Sequence, residues 1–249
     1  MAAKRPTNSE LKETVALAHR VLFLSGLATA AGHASARIPG TDRFLIKSWP
    51  HVHMSRLRAE DIITMDLDGN ILEGKKENTT RVGEWPLHSE IYRAHPDVGA
   101  VIHTHQPWAT LLGILGKTIL PVLHPGLASV AAEPMPVFDE DYALITRPAQ
   151  GRVLAQVLGN AIGCHLRTHG MVFAGPTLEI ATTDAIHTEY EAEVTWRAML
   201  IGTPRTIPML FLRPALERRN TGQVPEAWED YWKWIDKHQN SPRFRTVQV

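Results

Sequence analysis

Cysteine is almost absent from this sequence, since Cys164 is the single one among 249 residues. An internal disulfide is therefore excluded, and the composition fits a reducing compartment. An excess of either charge is also missing, because 26 Lys and Arg balance 26 Asp and Glu. This balance gives no electrostatic reason to expect binding to nucleic acid or to an acidic membrane surface. No stretch approaches the ~20 apolar residues of a membrane-spanning helix.

The remaining composition is that of an ordinary globular protein, with 44% hydrophobic and 21% charged residues. A chain of this length is long enough to bury a substantial core. No repeat, low-complexity tract or domain boundary is visible. We expect residues 1–249 to form a single domain, in which 201–249 are a C-terminal extension that packs on the domain or on an oligomer partner.

The N-terminal segment superficially resembles a signal peptide, since Lys4-Arg5 precedes an apolar run at 21–24. An amphipathic helix explains the segment better. Thr7 and Glu10 have the spacing of a capping box, and charged residues interrupt the apolar stretch. We therefore predict a first helix over residues 9–25 and a cytoplasmic protein.

Beyond this helix, short strands and helices are mixed along the chain, which favours an α/β sandwich of helices around a mixed sheet over an alternating barrel. Further helices are predicted at 85–94, 107–115, 148–158, 177–199 and near 225–238. Strands are predicted at 34–38, 43–47, 62–65, 71–73, 98–103, 119–123, 165–168 and 171–174. The Asp/Gly/Asn-rich turn at 66–70 predicts a hairpin between two of these strands.

Histidines at the end of a buried strand carry the main chemical signal. His103 and His105 follow the apolar residues 98–102, and His169 precedes Gly170 near a later strand. Strand side chains alternate, so an H-x-H pair projects two imidazoles to one side. Three protein ligands with an open position are typical of a catalytic metal. The alternative is two hydrogen-bonded histidines without a metal.

Two other folds with an H-x-H pair fit poorly. A cupin would need a Glu a few residues later, where Ala109 and Thr110 stand. An amidohydrolase barrel carries the pair on its first strand and needs a longer chain after it.

Other titratable residues give weaker signals. Glu84 precedes a predicted helix, where a solvated carboxylate is favoured by the helix dipole, and His88 lies one turn later. By themselves these positions do not indicate a site. His51 and His53 are expected in a loop. The acidic residues of the last long helix are expected at the surface or behind the site; they are Glu189, Glu191 and Glu193.

Four segments together resemble the class II aldolase/adducin family, over roughly residues 11–200. Gly32–Arg37 (GHASAR) is similar to its G-[NH]-x-S-x-R loop, and Glu84–His88 (EWPLH) to its E-W-x-x-H segment. Val101–His105 (VIHTH) resembles its ligand pair, and Thr168–Gly170 (THG) its third ligand. Each motif alone is weak, but the four in this order are specific.

The resemblance implies a three-layer αβα sandwich around a mixed, largely antiparallel central sheet, and a homotetramer with active sites at subunit interfaces. It implies one divalent metal ion per subunit on His103, His105 and His169, with Zn²⁺ as first choice and Mn²⁺, Fe²⁺ or Co²⁺ as alternatives. It also implies that Glu84 is a fourth ligand or the catalytic acid/base. By family position, His33 and Arg37 are candidates to bind a substrate carboxylate, although Arg37 could instead hold its loop.

The departures from the family pattern concern phosphate binding. Sugar-phosphate aldolases of the family hold phosphate with an Asn, a T-P-T-G-like turn and a Ser-Ser pair. This sequence has His33, residues 47–50 (KSWP) and Val82-Gly83 at those places. Phosphate needs several donors to replace its hydration. The sequence is therefore more similar to the branch that contains decarboxylases of hydroxylated aromatic or pyridine carboxylates.

These observations favour a metal-dependent lyase that decarboxylates a hydroxylated aromatic or heteroaromatic carboxylate through a metal-stabilised enolate or carbanion. An aldolase acting on a non-phosphorylated hydroxy or keto acid is the alternative, and a non-catalytic adducin-like interaction domain is a third. The Trp- and Arg-rich tail offers walls and carboxylate clamps to a substrate, or it buttresses the oligomer.

Overall fold

The computed structural model describes residues 6–29, 31–49, 52–75 and 80–238. Its strands are β1 (His33–Arg37), β2 (Arg43–Lys47), β3 (Ile62–Asp66), β4 (Ile71–Glu73), β5 (Ala100–Thr104), β6 (Val137–Phe138), β7 (Gly163–Leu166) and β8 (Gly170–Gly175). They form one sheet in the order β4-β3-β2-β1-β5-β8-β7-β6. All neighbouring strands are antiparallel except β6 and β7. The predicted mixed, largely antiparallel sheet is confirmed.

The helices are α1 (Asn8–Leu24), α2 (Trp85–Ala94), α3 (Pro107–Ile114), α4 (Pro125–Ala128), α5 (Pro148–Leu158), α6 (Leu178–Ile201), α7 (Met209–Asn220) and α8 (Glu226–His238). Helices α2 and α5 pack on one face of the sheet, and α1, α3 and α6 pack on the other. The three-layer αβα arrangement is thus confirmed. Within the described residues, every helix is too short or too polar to cross a bilayer.

The alternation of strand side chains divides the core into two apolar layers. Ala34 and Ile102 belong to the layer beneath α1 and α6, whereas Phe44 and Val101 belong to the layer beneath α2 and α5. Because β1 and β5 are central strands, both of their faces are buried. Polar side chains on these strands therefore lie inside the protein.

Helix α1 begins at the capping box that the sequence predicted. Glu10 N donates to Thr7 Oγ1 at 3.3 Å, and Thr7 N donates to Glu10 Oε2 at 2.7 Å. These bonds satisfy amides that the first helical turn leaves free.

The strand predicted at 119–123 is wrong. Its backbone is bonded to side chains of α6 rather than to a neighbouring strand: Val122 N and Leu123 N donate to Glu191 Oε1 at 2.6 and 3.1 Å, and Leu120 N donates to Thr195 Oγ1 at 3.1 Å. Glu191 is fully buried, so the surface position, one of the two expected for it, is wrong. A buried carboxylate needs hydrogen-bond donors, and these backbone amides supply them.

A second acidic residue of α6 has a comparable structural role. Glu189 accepts hydrogen bonds from Trp108 N and Ala109 N at 2.8 and 3.0 Å, at the first turn of α3. A carboxylate at this place satisfies free amides and interacts favourably with the helix dipole.

The C-terminal segment contains a helix that the sequence reading missed, α7, which has Pro214 in its interior. Arg219 on α7 pairs with the buried Asp184 of α6 at 2.5 Å. On α8, Trp228 and Ile235 are buried in the layer that contains α1. These contacts describe a segment that packs on α1 and α6; the side chain of Trp232 lies outside the described residues.

Candidate metal centre

The register of β1 and β5 brings two histidines together. His33 is paired with His103 across the antiparallel strands, so both side chains lie on the face covered by α2. Their ring centroids are 5.0 Å apart. His105 follows two residues after His103, and its backbone N donates to Leu27 O at 2.9 Å. That bond fixes the chain where β5 ends.

The turn between β7 and β8 supplies the third histidine of the predicted set. Thr168, immediately before His169, has a φ of 64°, which is uncommon for a residue with a β-branched side chain. After it, Gly170 passes so close to β5 that a Cβ would lie 2.0 Å from Thr104 O. Only glycine fits there, and this close approach carries His169 to His105.

The ring nitrogens of the three histidines converge. His105 Nε2 lies 3.0 Å from His103 Nε2 and 3.1 Å from His169 Nε2. His103 Nδ1 is 2.9 Å from Met171 O, which can only accept a hydrogen bond, so His103 carries its proton on Nδ1. Its Nε2 lone pair therefore faces the other two rings. This is the orientation that a second-layer carbonyl gives to a metal-binding histidine, and the donor set fits one divalent ion.

Glu84 reaches the same centre from the N-terminus of α2. Its Oε1 accepts a hydrogen bond from Ile145 N at 3.1 Å. Its Oε2 lies 3.6 Å from both His33 Nε2 and His103 Nε2. Glu84 is 8% exposed, so it is not the solvated first-turn carboxylate that position alone would indicate.

Burial and the mutual proximity of these groups determine their charges. Burial lowers the pKa of His103 well below its usual value, and it lowers the pKa of His105 to about 4. Burial alone would raise the pKa of Glu84, but the contacts with His33 and His103 lower it below its ordinary range. The centre therefore combines neutral imidazoles with a carboxylate at neutral pH, which is the form in which these groups bind a divalent ion.

Arg37 is the predicted site residue that the structure does not bring to this centre. It is four residues from His33 along β1, or about 13 Å at the rise of a strand. Its guanidinium donates to the backbone carbonyls of Tyr92, Val98 and His95, the last two at 2.9 and 3.1 Å. It also lies 4.7 Å from the centroid of the Tyr92 ring. This geometry corresponds to the structural alternative, in which Arg37 holds the C-terminal end of α2.

Sequence reasoning gave no role to His88, which lies beside the centre, or to the buried Lys47. His88 Nε2 lies 2.7 Å from His33 Nδ1, and the position of His88 one helical turn after Glu84 was the available signal. Lys47 is 2% exposed, and burial lowers its pKa to about 8. Side chains alternate along β2, and Ile46 is paired with Ser35 on the α2 face, so Lys47 lies on the opposite face of the sheet, with α1.

Comparison with known proteins gives a consistent result. An aldolase from Rhodospirillum rubrum that acts on 5-methylthioribulose 1-phosphate and 5-deoxyribulose 1-phosphate is 32% identical over 66% of this chain and 72% of its own. The 3,4-dihydroxyphthalate decarboxylase of Arthrobacter keyseri is 34% identical over 72% of this chain and 75% of its own. The structure of L-fuculose 1-phosphate aldolase from Glaciozyma antarctica PI12 is similar in fold, with a TM-score of 0.80, 21% identity and 95% of each chain covered.

The match to a family covers most of the chain. Residues 13–196 match the family described as Class II Aldolase and Adducin N-terminal domain. This range contains all four sequence motifs and the whole histidine centre. The chain therefore belongs to the class II aldolase/adducin family, and its curated relatives include lyases of more than one type.

Proposed function

We propose that this protein is a divalent-metal-dependent lyase that decarboxylates a hydroxylated aromatic or heteroaromatic carboxylate. His103, His105 and His169 bind the ion, Glu84 transfers the proton, and His33 contacts the substrate. The observation that carries the proposal is the set of three converging imidazoles and a carboxylate next to Val82 and Gly83, which have no side-chain hydroxyl. Zn²⁺ is the first choice, because three imidazoles in this arrangement suit it, with Mn²⁺, Fe²⁺ or Co²⁺ as alternatives.

The wall next to the centre argues against a sugar phosphate. Val82, which is buried, and Gly83 stand where sugar-phosphate aldolases have two serines, and neither has a side-chain hydroxyl. Ser48 Oγ is directed to Asp61 O, at 3.5 Å. The similarity to a 3,4-dihydroxyphthalate decarboxylase supports a hydroxylated aromatic carboxylate as the substrate.

The proposed reaction assigns a role to each group. When bound, the ion acts as a Lewis acid and stabilises negative charge that develops on the substrate. Glu84, as a carboxylate, takes the proton of the substrate hydroxyl and delivers it to the ring carbon that bears the carboxylate. The carbon–carbon bond then breaks, its electron pair returns to the ring, and CO₂ leaves. The ring oxygen finally takes a proton from water, which balances the reaction.

An aldolase acting on a non-phosphorylated hydroxy or keto acid is the second candidate. It is favoured by the 32% identity to a sugar-phosphate aldolase, since cleavage next to an oxygen-bearing carbon presents the same electronic problem. The ion and Glu84 would serve it equally. An adducin-like interaction domain would not need converging ligands, so the retained centre argues against it.

A substrate screen separates the two enzyme functions. Zn²⁺-loaded protein is incubated with 3,4-dihydroxyphthalate, with other ortho-hydroxy aromatic carboxylates, with hydroxy-keto acids and with ketose 1-phosphates. CO₂ and aldehyde release are measured, and phthalate without hydroxyl groups is the matched control. We expect CO₂ only from hydroxylated aromatic carboxylates. Efficient aldehyde release from a ketose 1-phosphate would contradict the proposal.

We also propose a homotetramer with active sites at subunit interfaces. Large apolar side chains are exposed around the end of α6 and the start of α7, among them Ile201 at 92% and Leu210 at 76%. Exposed apolar groups that cluster in this way often mark a protein–protein contact. The mass in solution, measured by light scattering, tests this assembly.

A further inference from the structure

A buried chain of hydrogen-bonding groups extends from the metal centre into the core beneath α2. It contains His33, His88, Ser35 and Tyr92. His33 Nδ1 lies 2.7 Å from His88 Nε2, His88 Nδ1 lies 2.7 Å from Ser35 Oγ, and Ser35 Oγ lies 2.8 Å from Tyr92 Oη. All four side chains are at most 5% exposed. No step proposed above uses His88, Ser35 or Tyr92.

Each member of this chain carries one hydrogen to donate. Burial raises the pKa of the Tyr92 phenol, so the phenol keeps its proton. Burial lowers the pKa of His88 well below its usual value, so the ring is neutral with one N–H. A neutral imidazole donates from one nitrogen and accepts at the other. The direction of one bond therefore determines the direction of the next.

Two directions are possible for the hydrogens. In the first, Tyr92 donates to Ser35, Ser35 to His88 Nδ1, and His88 Nε2 to His33 Nδ1, which leaves a hydrogen on His33 Nε2. In the second, both rings carry their hydrogen on Nδ1. Ser35 then accepts from His88, and it donates either to Val101 O at 3.3 Å or to Tyr92 Oη, whose own hydrogen has no other acceptor among the described residues. Both directions use the three short contacts, but only the first avoids both the 3.3 Å bond and an unpaired phenol hydrogen.

The neighbouring carboxylate favours the first direction as well. His33 Nε2 faces Glu84 Oε2 at 3.6 Å. A hydrogen on Nε2 makes that contact attractive, whereas a lone pair there would face a carboxylate without a hydrogen between them. His103 differs, because its Nδ1 hydrogen is bonded to Met171 O and its Nε2 presents a lone pair.

We propose that Tyr92, Ser35 and His88 fix His33 in the tautomer with hydrogen on Nε2, so that His33 donates a hydrogen bond to a substrate oxygen and does not bind the metal. His33, Glu84 and His103 have the spacing of a second metal site, but the tautomer of His33 excludes it. The substrate contact rests on the proposed function, whereas the tautomer assignment depends only on the protein. His88 and Ser35 are thus positioning residues that act through His33.

Nuclear magnetic resonance of the metal-free protein tests the tautomer directly. Long-range ¹H–¹⁵N spectra distinguish protonated from unprotonated ring nitrogens, and His33→Asn and His88→Gln assign the two sets of signals. We expect Nε2–H and an unprotonated Nδ1 in both rings. A hydrogen on His33 Nδ1 would overturn the inference.

The Ser35→Ala variant tests whether the chain sets the tautomer. Removing the hydroxyl deletes the donor to His88 Nδ1, so the His88 and His33 signals should shift toward a mixture of tautomers. His19 is the internal control: its Nδ1 is bonded to Val15 O at 2.7 Å and its Nε2 accepts from Ala34 N at 3.0 Å. His33 and His88 spectra that stay unchanged in this variant would disprove the positioning role.

Zn²⁺ binding measured by calorimetry provides the second readout. His33→Asn keeps an N–H donor, so any loss of Zn²⁺ affinity should stay within the ~10–100-fold that outer-layer changes produce. The matched His103→Asn variant should lose binding by far more than that range. A loss in His33→Asn that exceeds this range, as in His103→Asn, would show that His33 binds the ion and would refute the inference. The substrate screen does not affect either result, so the two proposals can fail separately.

Discussion

The two ends of β1 perform different tasks, although one short motif contains both. At one end, His33 faces His103 and Glu84, and these side chains point polar atoms at one another in a common space. At the other end, the donors of Arg37 are bonded to backbone carbonyls at the end of α2. A group whose hydrogen bonds are made to the backbone contributes to stability, whereas polar atoms that converge on a common space are available to a ligand.

This difference gives a way to separate function from structure within one strand. Changes at the His33 end should alter substrate binding and activity more than stability. Changes at the Arg37 end should do the reverse. Each experiment below either sharpens that contrast or breaks it.

The largest effect is expected from His105→Ala. His105 is half-buried and is bonded through its ring to the other metal-binding histidines, so its removal deletes a ligand without opening a fully buried cavity. Wild-type protein should contain about one divalent ion per subunit by elemental analysis, as three imidazoles and a carboxylate predict. The variant should lose metal and activity while its melting temperature in the metal-free state stays close to that of the wild type.

His103→Ala is the informative comparison. It should also lose the ion, but it removes a fully buried ring and its bond to Met171 O, so metal-free stability should fall too. A His105→Ala variant that is metal-replete and active would contradict the assignment of the centre.

Glu84→Gln should have the next largest effect. Gln keeps the size of the side chain and an oxygen that can accept from Ile145 N, so we expect the fold to remain. It cannot take or deliver the proton, and the loss of a general acid–base group lowers the rate by ~10²-fold or more. Steady-state kcat with the substrate found by the screen measures this loss. Zn²⁺ affinity should fall less than in His105→Ala, and wild-type turnover would reduce Glu84 to a structural residue.

How much of the fold and of the site could be predicted from the sequence depends on how far apart the interacting residues are along the chain. The β5 pair His103 and His105 follows from strand alternation, which is local. That His169 meets them depends on the close approach of Gly170 to Thr104, which only the three-dimensional fold creates. His169 was a candidate from the sequence because it precedes Gly170 near a later strand, whereas Glu84 came from the family resemblance alone.

The errors have the same origin. Residues 119–123 have the composition of a strand, but their amides are bonded to Glu191 and Thr195 of a helix far along the chain. No periodicity in the segment itself indicates this partner. Likewise, His88 was visible one turn after Glu84, but its role depends on Ser35 and Tyr92, which come from a strand and from the other end of α2.

The smallest effect, Arg37→Lys, is the most direct test of the contrast between the two ends of β1. The planar guanidinium donates to three carbonyls from Nε and Nη2 and lies over the Tyr92 ring. Lys keeps the charge but has a single ammonium group, which cannot copy that fork. Losing one or two such bonds should cost about 1–3 kcal/mol. At roughly 2–4 °C per kcal/mol for a chain of this size, the melting temperature should fall measurably.

The alternative hypothesis, that Arg37 binds the substrate carboxylate, predicts the opposite pattern. If Arg37 bound the substrate carboxylate, Arg37→Lys would raise KM and leave the melting temperature and the solution mass unchanged. The structure leads us to expect a lower melting temperature with a KM close to the wild-type value, measured on the same preparation. His33→Ala is the matched variant on the same strand, and we expect it to raise KM while the melting temperature changes less. If both variants raised KM without affecting stability, both ends of β1 would contact the substrate, and the assignment of Arg37 to stability would be wrong.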